Sequence, residues 1–169
     1  MTRARTDPKS ESPTRILFVC SGNTCRSPLA EAIARRVAEE SGVGGLKFRS
    51  AGTSTVPGLP ASEGARRAAK RHGLSLESHA SLPLSEAAVD WAELVLPMAP
   101  KHLERVLAAG GDGKAALLRA YAEGLEAVSE ELAVADPFGG DDRVYEETFL
   151  TLEALVRAAL GRLLGEEEA

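Results

Sequence analysis

Arg15-Ile16-Leu17-Phe18-Val19-Cys20-Ser21-Gly22-Asn23-Thr24-Cys25-Arg26-Ser27-Pro28 is the stretch whose reading decides the fold. Ile16 to Val19 is a continuous apolar run without polar alternation. That pattern fits a strand buried on both faces of a parallel sheet. A short polar loop follows. Ser27 is then predicted to cap a helix, with Pro28 in its first turn. Ligands collect at such carboxyl ends of strands in open α/β sheets. Gly22 and Asn23 tolerate the positive φ that a compact loop needs to turn its N–H groups inward. Inward N–H groups beside a helix N-terminus cradle an anion. Arg26 adds a planar fork that can grip two phosphate oxygens at once. Cys20 sits at the floor of this cradle. The groups that hold a phosphate there also favour the thiolate, which is the nucleophilic form of a cysteine. Ser27 is placed to donate a hydrogen bond to that sulfur and ease its departure in a second step.

Working outward, Leu29, Ile33 and Val37 recur every four residues, so a helix runs to about Gly42. Leu46 to Ser50 reads as a second strand, and Ser62 to His72 as a helix closed by Gly73. Ser85 to Ala92 is helical. Glu93 to Met98 is a third strand, whose proline favours a strand end. Pro100 to Ala109 is a helix ended by Gly110-Gly111, and Ala115 to Arg119 is a weak fourth strand. Residues 121–135 read as loop with a short helix. From Asp141 to Leu164, a long helix carries Tyr145, Phe149, Leu152, Val156, Leu160 and Leu163 on one stripe. Strands alternating with helices predict an α/β fold. The expectation is a single three-layer domain, a four-stranded parallel sheet flanked by helices. Residues 15–164 form that domain. Residues 1–14, polar with two prolines, are expected to be a disordered tail, and residues 165–169 an acidic tail.

At 169 residues the chain has room for one domain. Its formal net charge of −5 makes nucleic acid a poor partner. No 18-residue apolar run is present, so no membrane span is expected. The N-terminus lacks the apolar stretch of a secretory signal, and two cysteines are too few for a disulfide scaffold. A cytoplasmic location is therefore expected. Cys20 and Cys25 have no partner at metal-ligand spacing, so no metal and no cofactor are expected. Gly110-Gly111-Asp112-Gly113-Lys114 lacks the Ser or Thr of a nucleotide loop and reads as a turn. His72 and His102 fall in helical surface patterns and are expected to be solvated. Cys25 reads either as a small buried helix-entry residue or as a reversible disulfide partner that protects Cys20 from over-oxidation.

Cys20-x5-Arg26-Ser27 after an apolar strand resembles the loop of the low-molecular-weight protein-tyrosine-phosphatase family. The likeness spans roughly Arg15 to Leu164. It includes Ser50-Ala51-Gly52, His79 within Ser-His-Ala, the strand ending at Met98, and Asp136-Pro137-Phe138. The resemblance implies a cysteine-dependent protein phosphatase with a phosphocysteine intermediate, acting on phosphorylated proteins. Cys20 would be the nucleophile, Arg26 the phosphate clamp and Asp136 the general acid. Ser21, Gly22, Asn23, Thr24, Cys25 and Ser27 would line the phosphate loop, with phosphate or a similar oxyanion as its ligand. Asn23, Ser27, Ser50 and His79 would hold that loop in shape. Asp136 suits its role chemically, because the leaving group needs a proton as its bond to phosphorus breaks. Pro137 restricts the preceding residue to extended conformations, which helps aim the carboxyl group. Phe138 offers an aromatic wall.

Three departures from the tyrosine enzymes resemble the bacterial protein-arginine phosphatase branch. Thr24 stands where a bulky aliphatic residue is usual, Phe138-Gly139-Gly140 replaces a pair of tyrosines, and Met98-Ala99 replaces Met-Asp. Phosphoarginine is therefore the favoured substrate, with phosphotyrosine the main alternative. An arsenate reductase, which shares the fold and loop, needs cysteines beyond Cys25 to pass oxidation onward, and the chain has none.

Overall fold

Residues 14–165 are described by the computed structural model. The expected tails lie outside the described residues, apart from Thr14 and Gly165. The apolar run forms β1 (Arg15–Cys20), at the centre of a parallel sheet ordered β2-β1-β3. β2 is Lys47–Gly52 and β3 is Leu94–Pro97. In register, Cys20 lies opposite Gly52, and Val19 opposite Pro97. All three strands therefore end beside Cys20. Thr14 continues the β1 edge, accepting from Lys47 N and donating to Glu93 Oε1 through both N–H and hydroxyl.

β1 is buried on both sides, as its composition demands. Ile16 and Phe18 pack with Leu29 and Ile33 of α1 (Arg26–Ser41) and Phe149 and Leu152 of α6 (Asp142–Leu164). Leu17 and Val19 face the other way, towards Val89 of α3 (Glu86–Trp91) and Val106 of α4 (Pro100–Ala108). α2 (Glu63–Arg71) lies against α6, and Ser62 caps it by accepting from Ala65 N.

The expected fourth strand is reduced to one bridge, Val95 to Ala115. Val95 N donates to Lys114 O, and Ala116 N donates to Val95 O. The chain then enters α5 (Leu118–Glu123), because Ala-Ala-Leu-Leu-Arg-Ala favours helix over strand. Gly110 to Lys114 is a turn, and Lys114 Nζ donates to the Val89 and Ala92 carbonyls at the end of α3. Among the described residues, no helix is long and apolar enough to cross a membrane, and no three His, Cys, Asp or Glu side chains could together hold a metal ion.

Candidate active site

The loop from Cys20 to Arg26 is shaped by what its carbonyls do. Thr53 N donates to Cys20 O, Ser54 N to Ser21 O, Ser62 N to Thr24 O, and Leu29 N to Cys25 O. His79 Nε2–H donates to Asn23 O at 2.7 Å. These carbonyls thus face outward and are satisfied by groups outside the loop. Among the described residues, none of the N–H groups of residues 21–26 meets a protein acceptor. They are the donors left to bind an anion.

Asn23 makes this turn. It has φ of 57°, and no other non-glycine described residue has a positive φ. Its buried amide is used at both ends. Nδ2 donates to Ser27 Oγ at 2.8 Å and to Ser50 Oγ at 2.9 Å, and Oδ1 accepts from Leu82 N at 2.8 Å. Gly22 does not adopt a positive φ, contrary to expectation. A Cβ at Gly22 would meet Thr24 Oγ1 at 3.5 Å, an ordinary van der Waals contact. Gly52 is needed for close approach: a Cβ on it would come within 2.5 Å of Ser21 O and 2.9 Å of Asn23 Cβ.

The predicted helix cap is corrected. α1 begins at Arg26 with Cys25 at the cap position, and no side chain caps it. A capping side chain would occupy the N–H groups that an anion needs. Ser27 is instead committed to the sulfur. Its Oγ lies 3.0 Å from Cys20 Sγ and accepts from Asn23 Nδ2. Its own proton is left to donate to Cys20 when that sulfur is a thiolate. Ser50 behaves similarly, passing its proton to Glu31 Oε1 at 2.7 Å. Glu31 therefore anchors the network, and Arg35 pairs with it from the next helical turn.

Arg26 is buried, although charged. Nη1 donates to Val134 O at 2.9 Å, and Nη2 lies 3.6 Å from Asp136 Oδ2. Its Nε is buried without a protein partner among the described residues. Val134 is itself held by Met98 O, so the end of β3 sets the position of Asp136. Asp136 Oδ1 accepts from Phe138 N at 3.1 Å, and Phe138 is 75% exposed. Cys20, Ser21, Gly22, Thr24, Cys25, Arg26, Asp136 and Phe138 line one cavity of about 240 Å³. Ser54 lines it too, a residue the sequence did not single out. Asn23, Ser27, Ser50 and His79 stand behind the loop and brace it.

Cys20 and Cys25 are both buried free thiols. Cys25 Sγ meets Ser62 Oγ at 3.2 Å and Tyr145 OH at 3.4 Å. Burial, and next the Cys25 thiol, push the Tyr145 hydroxyl up to about 12, so it remains protonated.

Neither helical histidine is freely solvated: His72 is partly exposed and His102 is buried. His72 stacks on Phe149 with ring centroids 4.0 Å apart and bonds Glu146 Oε2 at 2.7 Å. His102 is fully buried, and its Nε2 lies 2.8 Å from Ser21 Oγ. Its place near the start of α4 points it inward under the loop, which a helical surface pattern does not reveal. Burial lowers its pKa to about 4; Arg26 and Lys101 add to this, while Asp136 opposes it. An unfolded chain takes up a proton there near pH 6.5, whereas the folded chain resists it until about pH 4. The stability that neutral His102 confers is therefore present above about pH 6.5 and is lost as pH falls towards 4. The loss is of order 1.4 kcal/mol per pH unit within that window. Thermal unfolding from pH 7 to 4 is expected to show a steeper decline for the native chain than for His102→Gln. Parallel declines would contradict this assignment.

The geometry agrees with known proteins. Residues 15–169 match the family model "Low molecular weight phosphotyrosine protein phosphatase". A protein-arginine-phosphatase of Bacillus subtilis is 38% identical over 144 residues, covering 84% of this chain and 91% of the relative. The low molecular weight protein-tyrosine-phosphatase Etp of Escherichia coli is 32% identical over 140 residues, covering 82% of this chain and 86% of the relative. Among solved structures, the YwlE arginine phosphatase, as a cysteine-to-serine mutant with a phosphorylated active site serine, superposes with a TM-score of 0.80. It is 34% identical and covers 91% of this chain and 98% of its own. This chain therefore belongs to the low molecular weight phosphotyrosine protein phosphatase family.

Proposed function

We propose that this chain hydrolyses phosphoryl groups from protein side chains through a phosphocysteine intermediate, with phosphoarginine as the favoured substrate. The observation that carries the reading is the outward set of loop carbonyls around Cys20, which leaves the N–H groups and Arg26 to face one oxyanion. The phosphoryl group binds to these donors, and the Cys20 thiolate attacks phosphorus. Asp136 gives its proton to the departing nitrogen or oxygen as the bond to phosphorus breaks. In the second step Asp136 takes a proton from water. That water attacks phosphorus, the S–P bond breaks, and Cys20 leaves as thiolate, favoured by the Ser27 hydroxyl. Phosphate and the unmodified side chain are the products. Arg26 holds the equatorial oxygens throughout, and its bond to Val134 O keeps the acid-bearing segment over the loop. The solved YwlE mutant with a phosphorylated active site serine supports attack by the residue at the Cys20 position. The chemistry needs a reduced thiol, which fits a cytoplasmic location.

Thr24 is the proposed specificity residue. It lines the cavity, and its short polar side chain leaves room and a hydroxyl near the leaving group. The deciding measurement is kcat/KM for matched peptides carrying phosphoarginine or phosphotyrosine. A large preference for phosphoarginine is expected, and a preference for phosphotyrosine would move the chain to the conventional branch with the same loop chemistry. Thr24→Ile is expected to shift the ratio towards phosphotyrosine by about tenfold, the usual scale for one pocket contact. An unmoved ratio would remove Thr24 from the specificity set.

A further inference from the structure

His102 reaches the loop from outside it. Its ring sits on α4, yet its polar contact is with the residue that follows Cys20: Nε2 lies 2.8 Å from Ser21 Oγ. Nδ1 is buried and meets no partner among the described residues. That asymmetry selects the tautomer. With the proton on Nδ1, a buried N–H would have no acceptor, which is the costly way to leave a polar group. With the proton on Nε2, the ring donates to Ser21 Oγ, and only a lone pair on Nδ1 goes unused. Burial, and after it Arg26 and Lys101, disfavours a second proton on the ring, so the neutral form persists.

The direction of that bond matters for Ser21. A hydroxyl that accepts from His102 keeps its own proton to give. Ser21 lines the cavity with Cys20, Arg26 and Asp136. Its carbonyl is already held by Ser54 N at 2.9 Å, so the residue is fixed on two sides. Acceptors on that cavity's wall are the Asp136 carboxylate and the Cys20 sulfur, and a phosphoryl oxygen bound beside Cys20 joins them. We propose that His102 is a positioning residue: its Nε2–H fixes the Ser21 hydroxyl so that Ser21 O–H donates to the oxyanion held in the loop. The proposal rests on the phosphatase reading of this site. It adds a side-chain donor to the backbone donors and Arg26.

The test uses the full chain and inorganic phosphate as the probe. Phosphate Kd is measured by calorimetry, beside kcat, KM and thermal midpoint, for Ser21→Ala, His102→Leu, His102→Gln and the double variant Ser21→Ala/His102→Leu. Ser21→Ala and His102→Leu are each expected to weaken phosphate binding about tenfold, the scale of one hydrogen bond to a charged group. His102→Gln keeps an N–H near the Nε2 position and is expected to stay within about threefold of native. The double variant is expected to match Ser21→Ala alone, since His102 acts through Ser21. A merely structural histidine would lower the thermal midpoint of His102→Leu and leave phosphate affinity unchanged, and that result overturns the proposal. So does additivity in the double variant. If His102→Leu does not fold, Ser21→Ala still decides, because native phosphate affinity in that variant overturns the proposal. A native chain that binds phosphate but hydrolyses neither phosphopeptide defeats the phosphatase reading, while the phosphate affinities still decide the role of His102.

Discussion

Cys20→Ser is expected to abolish turnover, by about 10,000-fold or more, while the affinity for inorganic phosphate stays within a few-fold of native. The separation follows from how the site is built. In the proposed mechanism the oxyanion is held by the loop N–H groups and Arg26, whose protein hydrogen bonds do not involve the sulfur. The proposed bond-making atom is Cys20 Sγ alone. A serine hydroxyl is a weaker nucleophile at neutral pH and, once phosphorylated, a far poorer leaving group than a thiolate. The variant is therefore expected to collect a phosphoryl group on residue 20 and to release it slowly. Phosphopeptide turnover, phosphate calorimetry and mass spectrometry of the incubated variant check the three parts. Turnover near the native rate would sink the covalent mechanism. Loss of phosphate affinity with the fold intact would show that the sulfur shapes the cradle itself.

The turn from Cys20 to Arg26 was legible because its information is local. An uninterrupted apolar strand, a polar turn with Asn23, and Arg26 six residues after Cys20 lie within one short stretch. Elements with one strong stripe were equally readable. The expected long helix and the observed α6 share their C-terminal residue, and the residues on the expected stripe are buried. What escaped depends on distant partners. The fourth strand failed because Ala115 has one bridge to Val95 and no further ladder to hold it against helix propensity. Ser27 looked like a cap, but the helix start must stay open for an anion, and Cys20, seven residues earlier, takes its hydroxyl instead. Glu31 reads as an ordinary surface helix residue until β2 brings Ser50 against it. His102 lies 81 positions from Ser21, and only the packing of α4 behind β3 brings the two together. Sequence pattern identifies which groups can do chemistry; the sheet decides which of them meet.

Asp136→Ala carries the second large expectation: a fall in kcat of about 100- to 10,000-fold on phosphopeptides, the range for losing a general acid. The leaving group decides how much of that loss appears. A side-chain nitrogen or phenol that departs poorly needs the proton, whereas an activated aryl phosphate with an acidic phenol leaves largely without it. The deficit in kcat/KM, which reports the first step, is therefore expected to shrink towards unity along a series of increasingly acidic phenols, while kcat keeps the loss from the second step. Stability is a weaker readout at this position. Asp136 is 51% exposed in its side chain, so solvent screens its 3.6 Å pairing with Arg26, although Arg26 itself is buried. Arg26 also keeps its bond to Val134 O when the carboxylate is gone, so the clamp is retained. A large kinetic loss with a nearly unchanged thermal midpoint would thus isolate proton transfer from folding. Equal rates for native and variant on poor leaving groups would show that Asp136 is not the acid. A uniform loss of kcat/KM along the whole phenol series would instead assign it to substrate positioning.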